Sequence, residues 1–401
     1  MLNRTSTGGL LPAAAMILAL VAAPAALACQ AEPNFQAWLQ GVKRQALSEG
    51  ISERAIDSAF ARVGFDQSVV NKDRAQGVFT QDFLTFSSRM VSQDRLDRGR
   101  RNLSKYDSTF DRIEAEFGVP REVLTAFWGL ETDFGLNVGS GNTLASLATL
   151  AYDCRRPDLF RHQFLSAIRI IDRGDLSAQE MRGPWAGEIG QVQFLPAHYV
   201  DFGVDYDGDG NINLLDSSAD SLASAANYLR HLGWRAGEPW LREVTTPADL
   251  PWAEADIAIK HPVSQWAAWG VRLRDGSALP AGDPPASLHL PMGRNGPAFL
   301  AYHNFDVYLV WNESLIYSTT AAYLATRYAG APKVSPGRGA DVLSAAQVTQ
   351  VQQLLEARGY DVGGADGVIG AKTRTAVKDA QIRLGLPADS FPSPLLLQAL
   401  R

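Results

Sequence analysis

The chain has 401 residues, of which 46% are hydrophobic and 20% are charged, and its formal net charge is −6. This length allows a full hydrophobic core and more than one domain. A nucleic-acid-binding protein needs a basic face, which this mildly acidic composition does not predict. We therefore expect no nucleic-acid partner.

Residues 1–28 have the pattern of a secretory signal peptide. Arg4 precedes an apolar run at residues 10–27, and Ala26-Leu27-Ala28 forms a cleavage site of small residues. No later stretch has the 18 or so uninterrupted apolar residues that cross a bilayer. The mature protein is therefore expected in the periplasm without a transmembrane segment.

The sequence contains two cysteines. Cys29 directly follows the cleavage site, and Cys154 is the other cysteine. In an oxidising compartment the two most simply form a structural disulfide. The alternative is lipidation of Cys29, which would anchor the protein, but Ala26 stands where a lipoprotein signal usually has Leu.

Most of the chain up to residue 230 has the apolar spacing of helices. Residues 35–62 predict two helices, the second opening at Ser52, and a single long amphipathic helix is expected at about 91–117. Residues 144–150, 159–173 and 218–233 predict further helices. The expected fold is mainly α, a lysozyme-like helical domain with long connections.

Residues 120–135 predict a helix that carries one carboxylate inside its apolar face and stops at Gly135. At about 100° per residue, Glu131 falls in the middle of an apolar arc formed by Val123, Leu124, Phe127, Trp128 and Phe134. A carboxyl held against apolar groups is driven toward its neutral form and can then donate a proton, as a general acid must. The alternative is a Glu at the rim of the core with its carboxylate in water or paired with an Arg.

Residues 183–196 form a loop too rich in Gly and Pro to be one helix. Trp185 offers a flat apolar surface and Gln193 a forked amide, which suit a pyranose ring and its polar substituents. A Trp buried in a tight turn is the alternative interpretation.

Residues 205–216, DYDGDGNINLLD, have the spacing of an EF-hand calcium loop, with Gly210 at the sixth position where the turn needs it. The six predicted ligands are Asp205, Asp207, Asp209, Asn211, Asn213 and Asp216. Asp216 replaces the usual bidentate Glu, so the site is expected to be weak. A structural Ca²⁺, or another cation, is predicted; a solvated acidic turn is the alternative.

The last third of the chain divides into three parts. Residues 239–297 predict a small irregular subdomain with short strands near 271–273 and 288–290, and residues 299–329 return to helix with Trp311, Asn312 and Tyr317. Residues 332–341 are a linker by composition. Residues 342–401 form a separate module, in which Ser344 and Gln347 predict a capping box.

Four segments, taken in order, resemble the membrane-bound lytic murein transglycosylase B family, the glycoside hydrolase family 103 enzymes. They are residues 129–135, 185–196, the acidic loop with Ala226-Asn-Tyr-Leu, and 310–317. The resemblance covers about residues 33–330, and we place the catalytic domain at 29–331. The tail, with Gln352 and residues 359–374, looks like a three-helix peptidoglycan-binding domain.

The resemblance implies that Glu131 is the single catalytic acid and base of a lytic transglycosylase, which cleaves between N-acetylmuramic acid and N-acetylglucosamine and leaves 1,6-anhydromuramoyl ends. Gln193, Asn312 and Tyr317 match family positions that contact the glycan, and the acidic loop matches the family's metal site. Pro184 departs from the family, which often has a Ser there whose hydroxyl bonds the catalytic Glu. The orientation of Glu131 must then come from elsewhere.

Two further functions are compatible with the sequence. A muramidase would hydrolyse the bond with water held by a second carboxylate such as Asp153 or Asp201. A non-catalytic wall-binding protein would use Glu131 only as a rim residue. In each case the expected partners are glycan strands, other cell-wall enzymes are candidate partners, and a monomer is expected. No metallopeptidase, serine hydrolase or P-loop motif is found in the sequence.

Overall fold

The computed structural model describes residues 34–75 and 81–401. The predicted signal peptide and Cys29 lie outside the described residues, so the disulfide to Cys154 stays a prediction. Seventeen α-helices are found in the described part of the chain, which confirms the mainly α fold. Their bounds are α1 Phe35–Ser48, α2 Glu53–Phe60, α3 Gln67–Arg74, α4 Phe83–Met90, α5 Gln93–Lys105, α6 Asp107–Phe117, α7 Arg121–Thr132, α8 Thr143–Tyr152, α9 Pro157–Arg173, α10 Pro196–Phe202, α11 Ser218–His231, α12 Val263–Ala268, α13 His303–Trp311, α14 Leu315–Tyr328, α15 Ala345–Glu356, α16 Ala371–Arg383 and α17 Pro394–Ala399.

The helices at the start of the described chain begin at polar capping residues. Asn34, Ser52, Asp66, Asp82 and Ser92 each accept a hydrogen bond from a backbone N–H of the first turn. Such caps satisfy N–H groups that the helix itself cannot bond. The predicted second helix at Ser52 is confirmed as α2. Within the described residues, no helix combines the length and apolar character required to cross a bilayer.

The single helix expected at about residues 91–117 is wrong: the chain forms α5 and α6, with a break at Tyr106. Tyr106 has φ −105° and ψ 21°, and its ring lies edge-on to Trp128 with centroids 5.6 Å apart. No Gly or Pro marks this break, so tertiary packing decides it. The bend lets α5 pack on α7 while α6 packs on α11.

Helix α7 is the centre of the helical domain. Nine of its twelve residues are buried, and it packs against α5, α11 and α14. A helix that is apolar nearly all round belongs in a core and not at a surface. The side chain at its last turn is therefore held by neighbours on several sides, which suits a site that needs fixed geometry.

A five-stranded antiparallel sheet forms the predicted β subdomain. Its order is β4-β6-β7-β3-β5, and the strand bounds are β3 Leu241–Thr245, β4 Lys260–Pro262, β5 Arg272–Leu273, β6 Pro285–His289 and β7 Ala298–Ala301. Strands β1 Gly141–Asn142 and β2 Arg182–Gly183 form a separate two-stranded antiparallel sheet. A separate hydrophobic core, which includes Trp252, Trp266 and Leu288, lies under the five-stranded sheet. The helix expected from residue 299 is wrong at its start, because β7 is buried along its whole length between β3 and β6. A short, fully apolar run does not distinguish a central strand from a buried helix.

The C-terminal module is a three-helix unit of α15, α16 and α17 with its own core. The predicted capping box of Ser344 and Gln347 is confirmed. The module docks on the sheet subdomain: Arg374, itself buried, donates to the Leu290 carbonyl at 2.9 Å, and Lys378 pairs with Asp256 at 3.1 Å. The module therefore contacts the rest of the chain through buried polar bonds.

Candidate active site

Glu131 lies in the last turn of α7, which ends at Thr132 with Asp133 as its C-cap, and not at Gly135. Asp133 adopts the left-handed conformation with φ 51°, and its carboxylate pairs with Arg95 at 2.7 Å and Arg98 at 3.2 Å. A non-glycine residue at positive φ is uncommon, and Asp is among the types that tolerate it. These two arginines of α5 hold the helix end, and with it the backbone next to Glu131.

Two hydrogen-bond donors from a much later part of the sequence orient the Glu131 carboxyl. The Trp311 indole Nε1 donates to Oε1 at 3.1 Å, and the Tyr317 hydroxyl donates to the same oxygen in a short hydrogen bond. Trp311 is held by stacking on Phe127, with ring centroids 4.3 Å apart. Pro184 cannot donate, so the expectation that Glu131 is oriented from elsewhere agrees with this geometry.

Burial raises the pKa of Glu131 to about 7. The hydrogen bonds from Tyr317 and Trp311 act against this rise because they favour the charged form, while the nearby charge of Glu188 adds to it. Burial and the charge of Glu131 hold the pKa of Tyr317 well above its usual range, so Tyr317 stays a donor. The carboxyl can therefore exist in either form near neutral pH, as an acid that later becomes a base requires.

A cleft of about 300 Å³ opens beside Glu131. Of the predicted binding residues, Trp185, Gln193, Trp311 and Asn312 line it, and all four are partly exposed. Tyr317 lies behind Glu131 and is buried, so its contact is to the acid. Trp185 forms part of the cleft wall and is partly exposed, which does not fit the alternative interpretation of a Trp buried in a tight turn.

Gln191 ties the loop under the cleft to α7 and to the acidic loop. Its side-chain oxygen accepts from the Trp128 indole at 2.9 Å, its carbonyl accepts from the Thr132 hydroxyl at 2.6 Å, and its backbone N–H donates to Leu214 at 2.7 Å. The neighbouring Gln193 has φ 53° and donates to the Gly190 carbonyl at 2.9 Å. This bonding fixes the loop that presents Trp185 and Gln193.

Five residues that line the cleft were not among the predicted site residues: Glu188, Phe194, Leu195, His198 and Tyr228. Burial lowers the pKa of His198, whose ring lies 4.5 Å from that of Tyr228 between centroids. The carboxylates considered for a hydrolase lie elsewhere. Asp153 pairs with Arg74 and Asp201 is exposed on α10, and neither belongs to the described residues that line the cleft.

The acidic loop gathers three of its six predicted ligands. Oxygens of Asp205, Asp207 and Asp209 lie within 4.8 Å of one another, and Gly210 has φ 95° at the sixth position. Asp216 is outside this group and pairs with Arg182 at 3.1 Å. Three close carboxylates fit a hard cation such as Ca²⁺, which takes oxygen ligands. The other two predicted ligands, Asn211 and Asn213, belong to the same loop.

A buried carboxylate shapes this loop from below. Asp220, which is fully buried, accepts hydrogen bonds from the backbone N–H groups of Tyr206, Asp207 and Asn213. Burial raises the pKa of Asp220, and these three donors act against the rise. The backbone of the loop is therefore held by hydrogen bonds to the carboxylate of Asp220 on α11.

Comparisons with known proteins agree with this geometry. The family described as "Transglycosylase SLT domain" matches residues 34–326, and the one described as "Putative peptidoglycan binding domain" matches residues 344–400. The chain belongs to the SLT transglycosylase family. This confirms the resemblance, the enzyme class and the fold class predicted from the sequence.

Members of this family with known sequences or structures resemble the chain over most of its length. The membrane-bound lytic murein transglycosylase B of Escherichia coli K12 is 26% identical over 71% of this chain and 80% of its own. The crystal structure of SltB3 from Pseudomonas aeruginosa, in complex with NAG-anhNAM-pentapeptide, is 38% identical with a TM-score of 0.86, covering 92% of this chain and all of that one. Escherichia coli Slt35 in complex with calcium is 26% identical with a TM-score of 0.63, covering 75% and 93%.

Proposed function

We propose that this SLT transglycosylase cleaves the bond between N-acetylmuramic acid and N-acetylglucosamine in peptidoglycan, with Glu131 as the single acid and base. The observation that carries the proposal is a carboxyl with a pKa near 7, bonded by two aromatic donors at the wall of an open cleft. Trp185, Gln193 and Asn312 are the proposed glycan contacts in the same cleft.

The neutral Glu131 carboxyl donates its proton to the glycosidic oxygen as the C1–O bond breaks. The resulting carboxylate then accepts the proton of the muramoyl C6 hydroxyl, whose oxygen attacks C1 and closes the 1,6-anhydro ring. No water is consumed, so no second carboxylate is needed as a nucleophile or base. Tyr317 and Trp311 stabilise the carboxylate that forms between the two proton transfers.

Three other assignments support the same function. The docked module at residues 342–401 is proposed to hold the enzyme on the wall, with 332–341 as the connection. The loop containing Asp205, Asp207 and Asp209 is proposed to bind a structural Ca²⁺. Export to the periplasm follows from the pattern at residues 1–28, with a lipid anchor at Cys29 as the alternative to its disulfide with Cys154.

The decisive experiment is mass spectrometry of muropeptides released from purified sacculi by the mature protein and by Glu131→Gln. We expect anhydromuramoyl products from the wild type and at least ~1,000-fold fewer from the variant, which cannot donate a proton. Because the amide resembles the carboxyl in size, the variant should still bind sacculi. Products one water heavier would indicate a muramidase, and sacculi left intact by the wild type would indicate a wall-binding protein.

A further inference from the structure

A second carboxyl, that of Glu188, lies in the wall of the cleft. Glu188 lines the same cleft as Glu131, and its Oε2 is buried but has no hydrogen-bond partner among the described residues. The side chain accepts a hydrogen bond from its own backbone N–H. Arg156 acts on it electrostatically but forms its ion pair with Asp73 at 2.5 Å.

The backbone around Glu188 is held by close contacts within the loop. The neighbouring Ile189 exchanges two backbone hydrogen bonds with Phe194, at 2.7 and 3.0 Å. Gly187 has φ 91°, and a Cβ atom at Gly183 would lie 1.9 Å from the Glu188 carbonyl oxygen. This tight loop presents the carboxyl to the cleft.

A buried carboxyl oxygen without a donor is costly in the free enzyme. An unsatisfied buried polar group typically costs about 1–3 kcal/mol, and more when it is charged. Most buried polar groups in native proteins are hydrogen-bonded, so an unsatisfied one calls for a specific explanation such as a functional role. A bound ligand that supplies the missing donor recovers this cost.

We propose that Glu188 is a glycan-binding residue, whose Oε2 accepts a hydrogen bond from a hydroxyl or acetamido N–H group of a sugar bound next to Glu131. The assignment rests on the proposed function, because the donors are those of an N-acetylated sugar strand. Glu188 takes no part in either proton transfer. Its role is to favour sugars that place a donor at this position of the cleft.

The test uses the full mature chain with the inactive Glu131→Gln background, so that binding is measured without cleavage. The probe is a GlcNAc–MurNAc tetrasaccharide, titrated calorimetrically into Glu131→Gln and into Glu131→Gln/Glu188→Gln. A hydrogen bond to a charged group is expected to contribute about 10- to 100-fold in Kd. In the otherwise wild-type enzyme, Glu188→Gln should raise KM more than it lowers kcat.

Stability separates binding from a structural role. Because Glu188→Gln removes an unpaired buried carboxyl, we expect its melting temperature to equal or exceed that of the wild type. The matched control is Glu356→Gln, an exposed glutamate of α15, which should change neither binding nor melting. Weaker binding accompanied by a lower melting temperature, in both Glu188→Gln and Glu188→Ala, would overturn the assignment in favour of a structural role.

Two other outcomes would also overturn it. Tetrasaccharide binding that is unchanged both in the double variant and in Glu131→Gln/Glu188→Ala would show that Glu188 makes no contact with the sugar, because only the alanine variant removes every side-chain acceptor. Reducing-end products from the wild type that disappear in Glu188→Gln would show that this carboxyl activates water. Failure of the proposed function is distinct, since the wild type would then release no anhydromuramoyl products from sacculi, whatever the effect of Glu188→Gln on binding.

Discussion

The cleft and the acidic loop place carboxyl groups in opposite surroundings. In the cleft, Glu131 and Glu188 are set among aromatic and aliphatic groups, and burial raises the pKa of both. In the loop, Asp207 and Asp209 are exposed, and the loop backbone donates to the aspartates, as from Gly208 to Asp205 at 2.8 Å. The cleft favours the protonated form of its carboxyl groups, whereas the loop places several carboxylates close together, as cation binding requires.

The two sites also differ in how far apart their parts lie in the sequence. The loop carboxylates come from one short run of residues. Glu131, by contrast, takes its two donors from residues 180 and 186 positions later in the chain. A site built from distant parts is sensitive to single substitutions that leave the acid itself in place.

Of the substitutions that test this difference between the two sites, Tyr317→Phe is expected to have the largest effect on activity. The variant loses the hydroxyl that stabilises the Glu131 carboxylate, and kcat should fall about 100- to 1,000-fold. Because this hydrogen bond lowers the pKa of Glu131, the alkaline limb of the kcat profile should move to higher pH. The matched control is Tyr106→Phe, which removes a tyrosine hydroxyl that donates to the Ser218 hydroxyl at 3.4 Å instead of to Glu131. Equal activity of the two variants would contradict this role for Tyr317.

The raised pKa of Glu131 also predicts a dependence of stability on pH. The folded protein binds this proton more tightly than the unfolded chain, so the contribution of Glu131 to folding falls as pH rises from about 4.5 to about 7. Glu131→Gln removes this loss and should gain up to roughly 3 kcal/mol over the wild type above pH 7. Urea unfolding at pH 5 and pH 8 measures the gain, and a difference that is equal at both pH values would contradict the buried-acid assignment.

The acidic loop should stabilise the protein when a cation binds to it, independently of substitutions in the cleft. Calcium at about 100 times its Kd stabilises a binding-competent protein by about 2.7 kcal/mol, which corresponds to a rise in Tm of roughly 5 °C. Asp207→Asn should lose this rise, whereas Asp216→Asn, which alters the residue paired with Arg182, should keep most of it. Thermal melts in excess calcium and in chelator measure the effect. Identical melts of the wild type in the two conditions would exclude a structural cation.

The smallest effect is expected from Trp311→Phe. Phenylalanine keeps an aromatic ring against Phe127 but removes the indole N–H that bonds Glu131 at 3.1 Å. Since Tyr317 remains, kcat should fall only about 10-fold, within the range for a hydrogen bond to a charged group. A loss as large as that of Tyr317→Phe would contradict this ranking and would mean that the indole N–H contributes as much as the Tyr317 hydroxyl.

The features predictable from the sequence are those whose parts lie close together in the chain. The acidic loop, the Ser344 capping box and the apolar face of α7 each depend on residues within one short segment of the sequence. The same reasoning identified Glu131 as an acid in apolar surroundings. The family resemblance then added Gln193, Asn312 and Tyr317 as members of one site.

The features that were missed depend on tertiary packing. Nothing near Tyr106 marks the break between α5 and α6, because neighbouring helices decide it. The apolar run of β7 does not reveal that strands flank it on both sides. Glu188 stands alone in a glycine-rich loop, and only the folded chain brings it to the cleft of Glu131. A search for acidic residues in the loops beside the predicted Trp185 and Gln193 would have found it.

The separation between Glu131 and its donors also sets when activity can arise. A chain that has emerged and folded only through α11 contains the acid but neither Trp311 nor Tyr317. The two donors that orient its carboxyl in the described structure arrive only when α13 and α14 have packed beside α7. An enzyme that cuts the cell wall would thereby remain inactive until the whole helical domain has been delivered and assembled.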